Sequence, residues 1–425
     1  MLTINRSTTA IFDRYLNKSV SAVRIIARTI LCLIMTGQAN PILAHEDAAV
    51  PASVNEQRLI QFPDTANYKT LVLDPHTHSS FSDGHVWPRI RVEEALRDGL
   101  DAIAITEHLE WQPHMADLPH PDRNRAYQIA REANGDNPLM IIAGSEITRE
   151  TPSGHINALF ITDANKMLLP IAAPEPFDPI EYYRRMHQFP EQDAVDAAVE
   201  QEAFLFWNHP WWHTDYVADI PIIPEFHRKN AANGKIQGIE IANGFNYSEQ
   251  AFQMALDLDL AVIGASDVHE LIDWDYKPHE GGHRPVTLVL AENATADSLR
   301  EALFEHRTLV WFNNLLLGRD AEMQELLTAA LTVTAANYSG EKNLLNFDIE
   351  NSSDVDFQLY NNSPFTFSKN PNQVTIKQHA KTTLVLRTPT RLSAIDLPFS
   401  VLNALIAPGQ PAQLTLSAHS IDIIE

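Results

Sequence analysis

Eight short apolar runs, separated by helix-like stretches, constrain this chain more than any other feature of its sequence. They are TLVLD (70–74), DAIAIT (101–106), LMIIAG (139–144), INALFI (156–161), AFLFWN (203–208), GIEIAN (238–243), LAVIGAS (260–266) and VTLVLA (286–291). Runs of Val, Ile, Leu and Ala without polar alternation are what strands buried on both faces of a parallel sheet require. Between them lie stretches with readable helix ends: Pro88 to Leu100, Pro121 to Ala133, Pro179 to Gln188, Glu191 to Ala203, Ser248 to Leu258 and Ala296 to His306. Proline at the first helical position, and glycine near the last as at Gly99 and Gly135, are the expected punctuation. This alternation fits a closed α/β barrel or an open doubly wound sheet. No G-x-G-x-x-G or P-loop comes after the first run, which counts against a nucleotide-binding sheet.

Near residue 330 the pattern changes. LTVTAAN, LLNFDIEN, DFQLYNN, FTFSKN, QVTIKQ, TTLVLRT and AQLTLSA alternate apolar with polar residues and are separated by turns such as Asn361-Asn362-Ser363 and Pro408-Gly409. Period-2 alternation in short pieces predicts an antiparallel β-sandwich over residues 331–425, behind an α/β domain over 67–330.

The amino-terminal segment differs from both. Met1 to Ala44 carries five of the chain's 31 basic residues and one of its 55 acidic ones, around the apolar run ILCLIMTG at 30–37. A basic lead, an apolar run too short to span a bilayer and a small-residue exit predict a secretory signal peptide over 1–44, hence a periplasmic or secreted protein with no membrane insertion after cleavage. Residues 45–66, polar and without period, read as a linker. Cys32, the only cysteine, lies in the leader, so the remainder has no thiol chemistry. The net charge is −24 for the whole chain; with the leader's five bases and one acid removed it is −28. So acidic a surface repels nucleic acid, and an anionic substrate needs local positive charge that metal ions would provide.

The residues at the ends of these apolar runs are the second constraint. After the first run come His76, His78 and Asp83, in LDPHTHSSFSDG. Glu107 and His108 come after the second, Glu146 after the third, and His155 precedes the fourth. His209 stands after the fifth; Asp267 and His269 stand after LAVIGAS. One H-x-H proves little, since 18 histidines in 425 residues give roughly one by chance. Singly, His209 reads as a structural histidine, Glu146 as a helix cap and Asp83 as an Asx turn. Recurrence after run upon run is what changes the reading. In a barrel the strand ends converge on one face, and positions i and i+2 point the same way, so His76 with His78 and Asp267 with His269 each form a two-pronged clamp. Six imidazoles and three carboxylates in one small space are hard to satisfy without a cation. Imidazole plus carboxylate without thiolate suits Zn²⁺, Mn²⁺ or Fe²⁺.

Taken in order, His76, His78, Asp83, His108, Glu146, His155, His209, Asp267 and His269 resemble the motif series of the PHP (polymerase and histidinol phosphatase) family of metal-dependent phosphoesterases. The resemblance covers roughly residues 70–270 and implies a distorted seven-stranded (β/α)7 barrel with three divalent metal ions. By it, His76, His78, Glu146 and Asp267 would hold the first ion, and Glu146 would bridge to a second with His155 and His209. Asp83, His108 and His269 would hold the third, and Glu146, Asp267 and His269 would be the catalytic members. The family usually has aspartate where this chain has Glu107. The implied reaction is hydrolysis of a small-molecule phosphoester by a metal-bridging hydroxide.

Trp111, Trp212, His213, His283 and Arg284 are candidates for substrate contact: aromatic side chains would line an apolar or aryl leaving-group pocket, and Arg284 would grip a phosphate oxygen. Packing of loops by the same tryptophans is the competing reading. Exported members of the family with an added β-domain look like phosphodiesterases acting on small organic diesters. A phosphomonoesterase is the alternative, and a metal amidohydrolase-type enzyme a further one, though no lysine stands among the motifs to bridge a metal pair. A non-catalytic binding protein would have lost ligands, and none is missing. The oligomeric state and the role of the β-domain are not legible.

Overall fold

The computed structural model describes residues 59–212, 216–217, 220–339 and 342–424. The expected signal peptide, most of the expected linker and His213 lie outside the described residues. Seven strands make the barrel wall: β1 (Lys69–Asp74), β2 (Ala102–Ile105), β3 (Met140–Thr148), β4 (His155–Leu159), β5 (Phe204–Trp207), β6 (Gly238–Asn243) and β7 (Ala261–Ala265), side by side in chain order. Their side chains are buried almost without exception, as uniform apolarity requires. Neighbours pair in parallel except β4, which is antiparallel to both β3 and β5. Helices start where the sequence marks them. Asp178 caps Pro179–Met186, Ser248 caps Glu249–Asp257 and Thr295 caps Ala296–Phe304; Gly99, at φ 77°, ends Pro88–Asp98 in the left-handed conformation that a Cβ disfavours. Among the described residues no helix is long and apolar enough to cross a membrane.

The ring closes unevenly. Along its length β1 pairs with an antiparallel strand, β8 (Val286–Ala291), and β7 is hydrogen-bonded to β8 through Thr287, whose hydroxyl accepts the Gly264 N–H at 3.0 Å and donates to the Gly264 carbonyl at 2.8 Å. Beyond β1 and β7 the chains come together directly. Thr77 bridges Val268 in parallel, Asp267 N–H donates to the His76 carbonyl at 2.9 Å, and His78 N–H to that of Val268 at 3.1 Å. The barrel is therefore distorted, and VTLVLA, expected among the parallel strands, flanks it instead. Uniform apolarity reports burial on both faces and carries no information about direction.

Two strands not expected from the sequence, β9 (Thr308–Phe312) and β10 (Leu315–Gly318), extend this sheet, and β10 pairs in parallel with Ile395–Ala407. One sheet of the sandwich (Phe357–Asn361, Gln373–Ile376, Ile395–Ala407, Gln410–Ala418) is thus continuous with the barrel sheet. The other contains Leu331–Ser339, Leu344–Asn351 and Ala380–Arg387. Helix Asp320–Ala330 joins the two regions and buries Met323, Leu326, Leu327 and Ala330 in a core shared with Leu309, Phe347, Phe357 and Phe399. The end of the expected linker is packed against its neighbours. Ile60 is buried and its N–H donates to the Asp98 carbonyl, while Gln61 N–H donates to the Asp354 carboxylate at 2.8 Å. Residues 59–66 bind barrel to sandwich; with backbone groups this well used, a coil needs no apolar period.

Candidate metal centre

All nine residues of the His, Asp and Glu motif series meet at one end of the barrel. His155 begins β4, and because β4 runs antiparallel, its beginning lies beside the C-terminal ends of its neighbours. Glu146, fully buried on β3, is the hub. Its Oε1 lies 3.0 Å from His155 Nδ1 and 3.6 Å from both His76 Nε2 and His209 Nε2; its Oε2 lies 2.6 Å from His108 Nδ1 and 3.5 Å from His78 Nε2. Asp267 Oδ1 lies 3.2 Å from His76 Nε2 and 3.1 Å from His78 Nε2. Asp83 Oδ1 reaches His269 Nε2 at 3.1 Å and His108 Nε2 at 3.4 Å. Three overlapping sets each bring their ligand atoms within 4.8 Å of one another: His76, His78 and Glu146; His78, Asp83, His108 and His269; His108, Glu146 and His155.

The loops are shaped to present these groups. A Cβ on Gly84 would stand 2.8 Å from the backbone of His78 and Ser79, so only glycine lets the loop fold back and turn Asp83 toward His269. Glu107, the departure from the usual aspartate, is buried and accepts from the Ser79 backbone N–H (3.1 Å) and from the Ser79 and Ser82 hydroxyls. Its extra methylene spans to the loop that carries Asp83. His209 (φ 25°) and Asp267 (φ 50°) stand in the left-handed region, a strain of about 1–3 kcal/mol each that functional sites retain when their surroundings enforce it.

The donor chemistry fits divalent cations. Burial alone would raise the carboxyls of Asp83, Glu146 and Asp267, but the imidazoles around them hold all three well below the usual carboxylate range. Burial, with His269 and His108 beside it, pushes His78 down to about 3. Burial would also lower His269, yet its hydrogen bond to Asp83 lifts it to about 9; Asp267 and Glu146 raise His76, and Glu146 and Asp83 raise His108. Protonated imidazoles therefore balance the carboxylates. The Nε2 atoms of His76 and His78, 2.9 Å apart, both face Asp267 Oδ1. Oxygen and imidazole nitrogen converging this way without sulfur is a hard-to-borderline cation's donor set.

The substrate-contact candidates fare differently. Trp212 is 56% exposed and its ring lies 4.0 Å from that of His209. Trp111 packs edge-on against Tyr183. Arg284 is corrected: it is fully buried, 3.1 Å from Asp74 and 2.7 Å from Asp98, and cannot also grip a phosphate. His283 is corrected too. It stacks on Trp311, and its ring nitrogens face the Arg284 and Asn313 carbonyls at 2.8 and 2.6 Å. The residue overlooked in the sequence is Glu240 on β6, fully buried and 2.8 Å from His76 Nδ1. A lone carboxylate inside GIEIAN was the available signal, because a buried acid demands a partner.

Fold and site define a barrel with a cluster of histidines and carboxylates that could hold metal, and an appended β-sandwich. A sequence profile described as an Ig-like domain matches residues 331–417. A solved two-domain protein from Bacteroides vulgatus, described as containing a predicted PHP-like metal-dependent phosphoesterase, is 34% identical, aligns over 85% of this chain and 98% of its own, and has a TM-score of 0.72. A proposed metal-dependent phosphoesterase from Bifidobacterium adolescentis (19% identity, 54% of this chain, 95% of its own, TM-score 0.35) and an amidohydrolase from Chromobacterium violaceum (17%, 47%, 87%, 0.33) also align. No curated protein matches the chain. On the Bacteroides likeness, this chain belongs to the PHP-like family of metal-dependent phosphoesterases.

Proposed function

We propose that the protein hydrolyses small organic phosphodiesters at a trinuclear centre, and does so in the periplasm or outside the cell. The observation that carries the reading is the convergence of six imidazoles on Glu146, Asp267 and Asp83. His76, His78, Glu146 and Asp267 would hold one cation; Glu146, His155 and His209 a second; Asp83, His108 and His269 a third, at the more open edge. Zinc, manganese or iron bound there would supply a nucleophile from water at neutral pH and neutralise the phosphoryl oxygens.

Preference for a diester rests on the groups flanking the cluster. Arg91 is bound to Glu94 and the His78 carbonyl, Arg149 to Glu110, and Arg284 to Asp74 and Asp98. A dianionic monoester therefore finds none of these guanidinium groups free, whereas a singly charged diester needs less compensation. Trp212, open beside His209, offers an apolar face to the ester's organic arm. An acidic chain also disfavours a polyanionic nucleic-acid substrate. The test is a panel of p-nitrophenyl mono- and diesters on metal-loaded protein, with Asp267→Ala as control. Diester turnover abolished in the control is expected. Equal rates in both proteins would remove the metal mechanism, and monoesters turned over much faster than diesters would replace the substrate class.

A further inference from the structure

We infer that Glu240 is a positioning residue of the metal centre, an inference that rests on the metal-dependent reading above. Glu240 lies mid-strand on β6, fully buried, in a run whose other side chains are apolar except for Asn243. Its two oxygens serve three ligands. Oε1 faces His76 Nδ1 at 2.8 Å. Oε2 accepts the His209 backbone N–H at 2.8 Å and the Asn243 side-chain amide, also at 2.8 Å; the same amide reaches Asp267 Oδ2 at 3.2 Å.

Each contact has a consequence for a ligand. Accepting from Nδ1 keeps a hydrogen there, so that Nε2 of His76, turned toward Asp267 and Glu146, is the nitrogen that would give up its proton and offer a lone pair to a cation. His209 and Asp267 are the two ligands held at positive φ. Glu240 anchors the backbone of the first directly and the carboxylate of the second through Asn243. A carboxylate is the only side chain that suits this place, since all three facing groups are donors. In Glu240→Gln, nearly isosteric, the amide NH₂ must face either His76 Nδ1, favouring the other tautomer, or two N–H donors. Glu240 touches no reacting atom in this geometry; it acts through His76, His209 and Asp267.

The test titrates metal-free wild type and Glu240→Gln with Zn²⁺ and with Mn²⁺ against a chromophoric chelator, and follows thermal unfolding with and without metal. Outer carboxylates of this kind typically change metal affinity 10–100-fold, so a weakening of that size is expected in the tightest site. The metal-free proteins should unfold at similar temperatures, and the metal-induced rise should shrink in the variant. An unchanged affinity, or equal destabilisation with and without metal, would mark Glu240 as merely structural. Should Glu240→Gln not fold, Asn243→Ala removes the amide shared by Glu240 and Asp267; a several-fold weakening supports the inference, and an unchanged affinity overturns the part of it that runs through Asp267. Wild type that binds neither ion would instead sink the metal-dependent reading itself.

Discussion

Asp83 and His269, one from the loop after β1 and the other from the chain after β7, meet at 3.1 Å between Oδ1 and Nε2. Burial opposes the charge on His269, but this contact raises its pKa to about 9, against about 6.5 for a free imidazole. A raised histidine pKa stabilises the metal-free fold fully below about pH 6.5, and that contribution is lost as pH rises through about 9. A metal ligand must be neutral, so cation binding near pH 7.5 expels this proton. Calorimetry in buffers of different ionisation enthalpy should therefore show release of at least one proton per chain, with affinity climbing toward pH 9 and flattening above. Heats independent of the buffer would count against the assignment.

Arg91 clamps the two motifs that close the barrel. Its Nε donates to the His78 carbonyl at 2.8 Å and its Nη2 to the Val268 carbonyl at 3.2 Å, while Nη1 pairs with Glu94 at 2.7 Å. Glu94 in turn accepts the Ile272 N–H. Removing one partner of a buried pair leaves a charge without compensation, typically about 3–5 kcal/mol. Arg91→Ala should lose about that much in urea unfolding and should also lose bound metal, because the H-x-H and D-x-H segments no longer keep register. Lysine at 91 restores charge without the fork, and should recover part of the stability only.

Glu107→Asp would install the residue more usual in the family, and is expected to do harm. One methylene shorter, the carboxylate cannot span to Ser79 and Ser82, leaving buried hydroxyls short of a partner at about 1–3 kcal/mol. The loop bearing Asp83 loosens, so metal analysis should find the ion proposed for Asp83, His108 and His269 reduced first, at a stability loss of about 1–3 kcal/mol. Undiminished metal content in the variant would contradict this role.

The legible part of the fold is the part set by burial and spacing. The βα rhythm shows the barrel and period 2 shows the sandwich, because each pattern depends on which faces are covered. Direction is not legible. His155 stands at the head of its strand, and only the antiparallel course of β4 brings it to the other ligands; VTLVLA has the composition of a barrel strand and is not one. Helix Asp320–Ala330 does have a signal, with apolar residues at 323, 326, 327 and 330, one face of a 3.6-residue period. The cluster is readable because nine costly residues recur at strand ends. Arg284 misleads because charge type alone does not tell a phosphate clamp from an internal counter-ion; Asp74 and Asp98, far off in sequence, make it the latter.

The seam between β7 and the flanking strands depends on Gly264. A Cβ there would overlap Val310 Cγ1 and stand 3.2 Å from the Val286 carbonyl oxygen. Nothing in its backbone demands glycine, so the obstacle to alanine is room. Gly264→Ala should cost about 1–3 kcal/mol by overpacking, and should reduce metal content because Asp267 lies three residues on. Val310→Ala alone leaves a cavity and also destabilises. Together the two should cost less than their sum, with a coupling of about 1 kcal/mol in a double-mutant cycle, since the second change vacates the space the first requires. Additive losses would mean that the strand moves away as a unit, and that Thr287 rather than close packing holds the barrel shut.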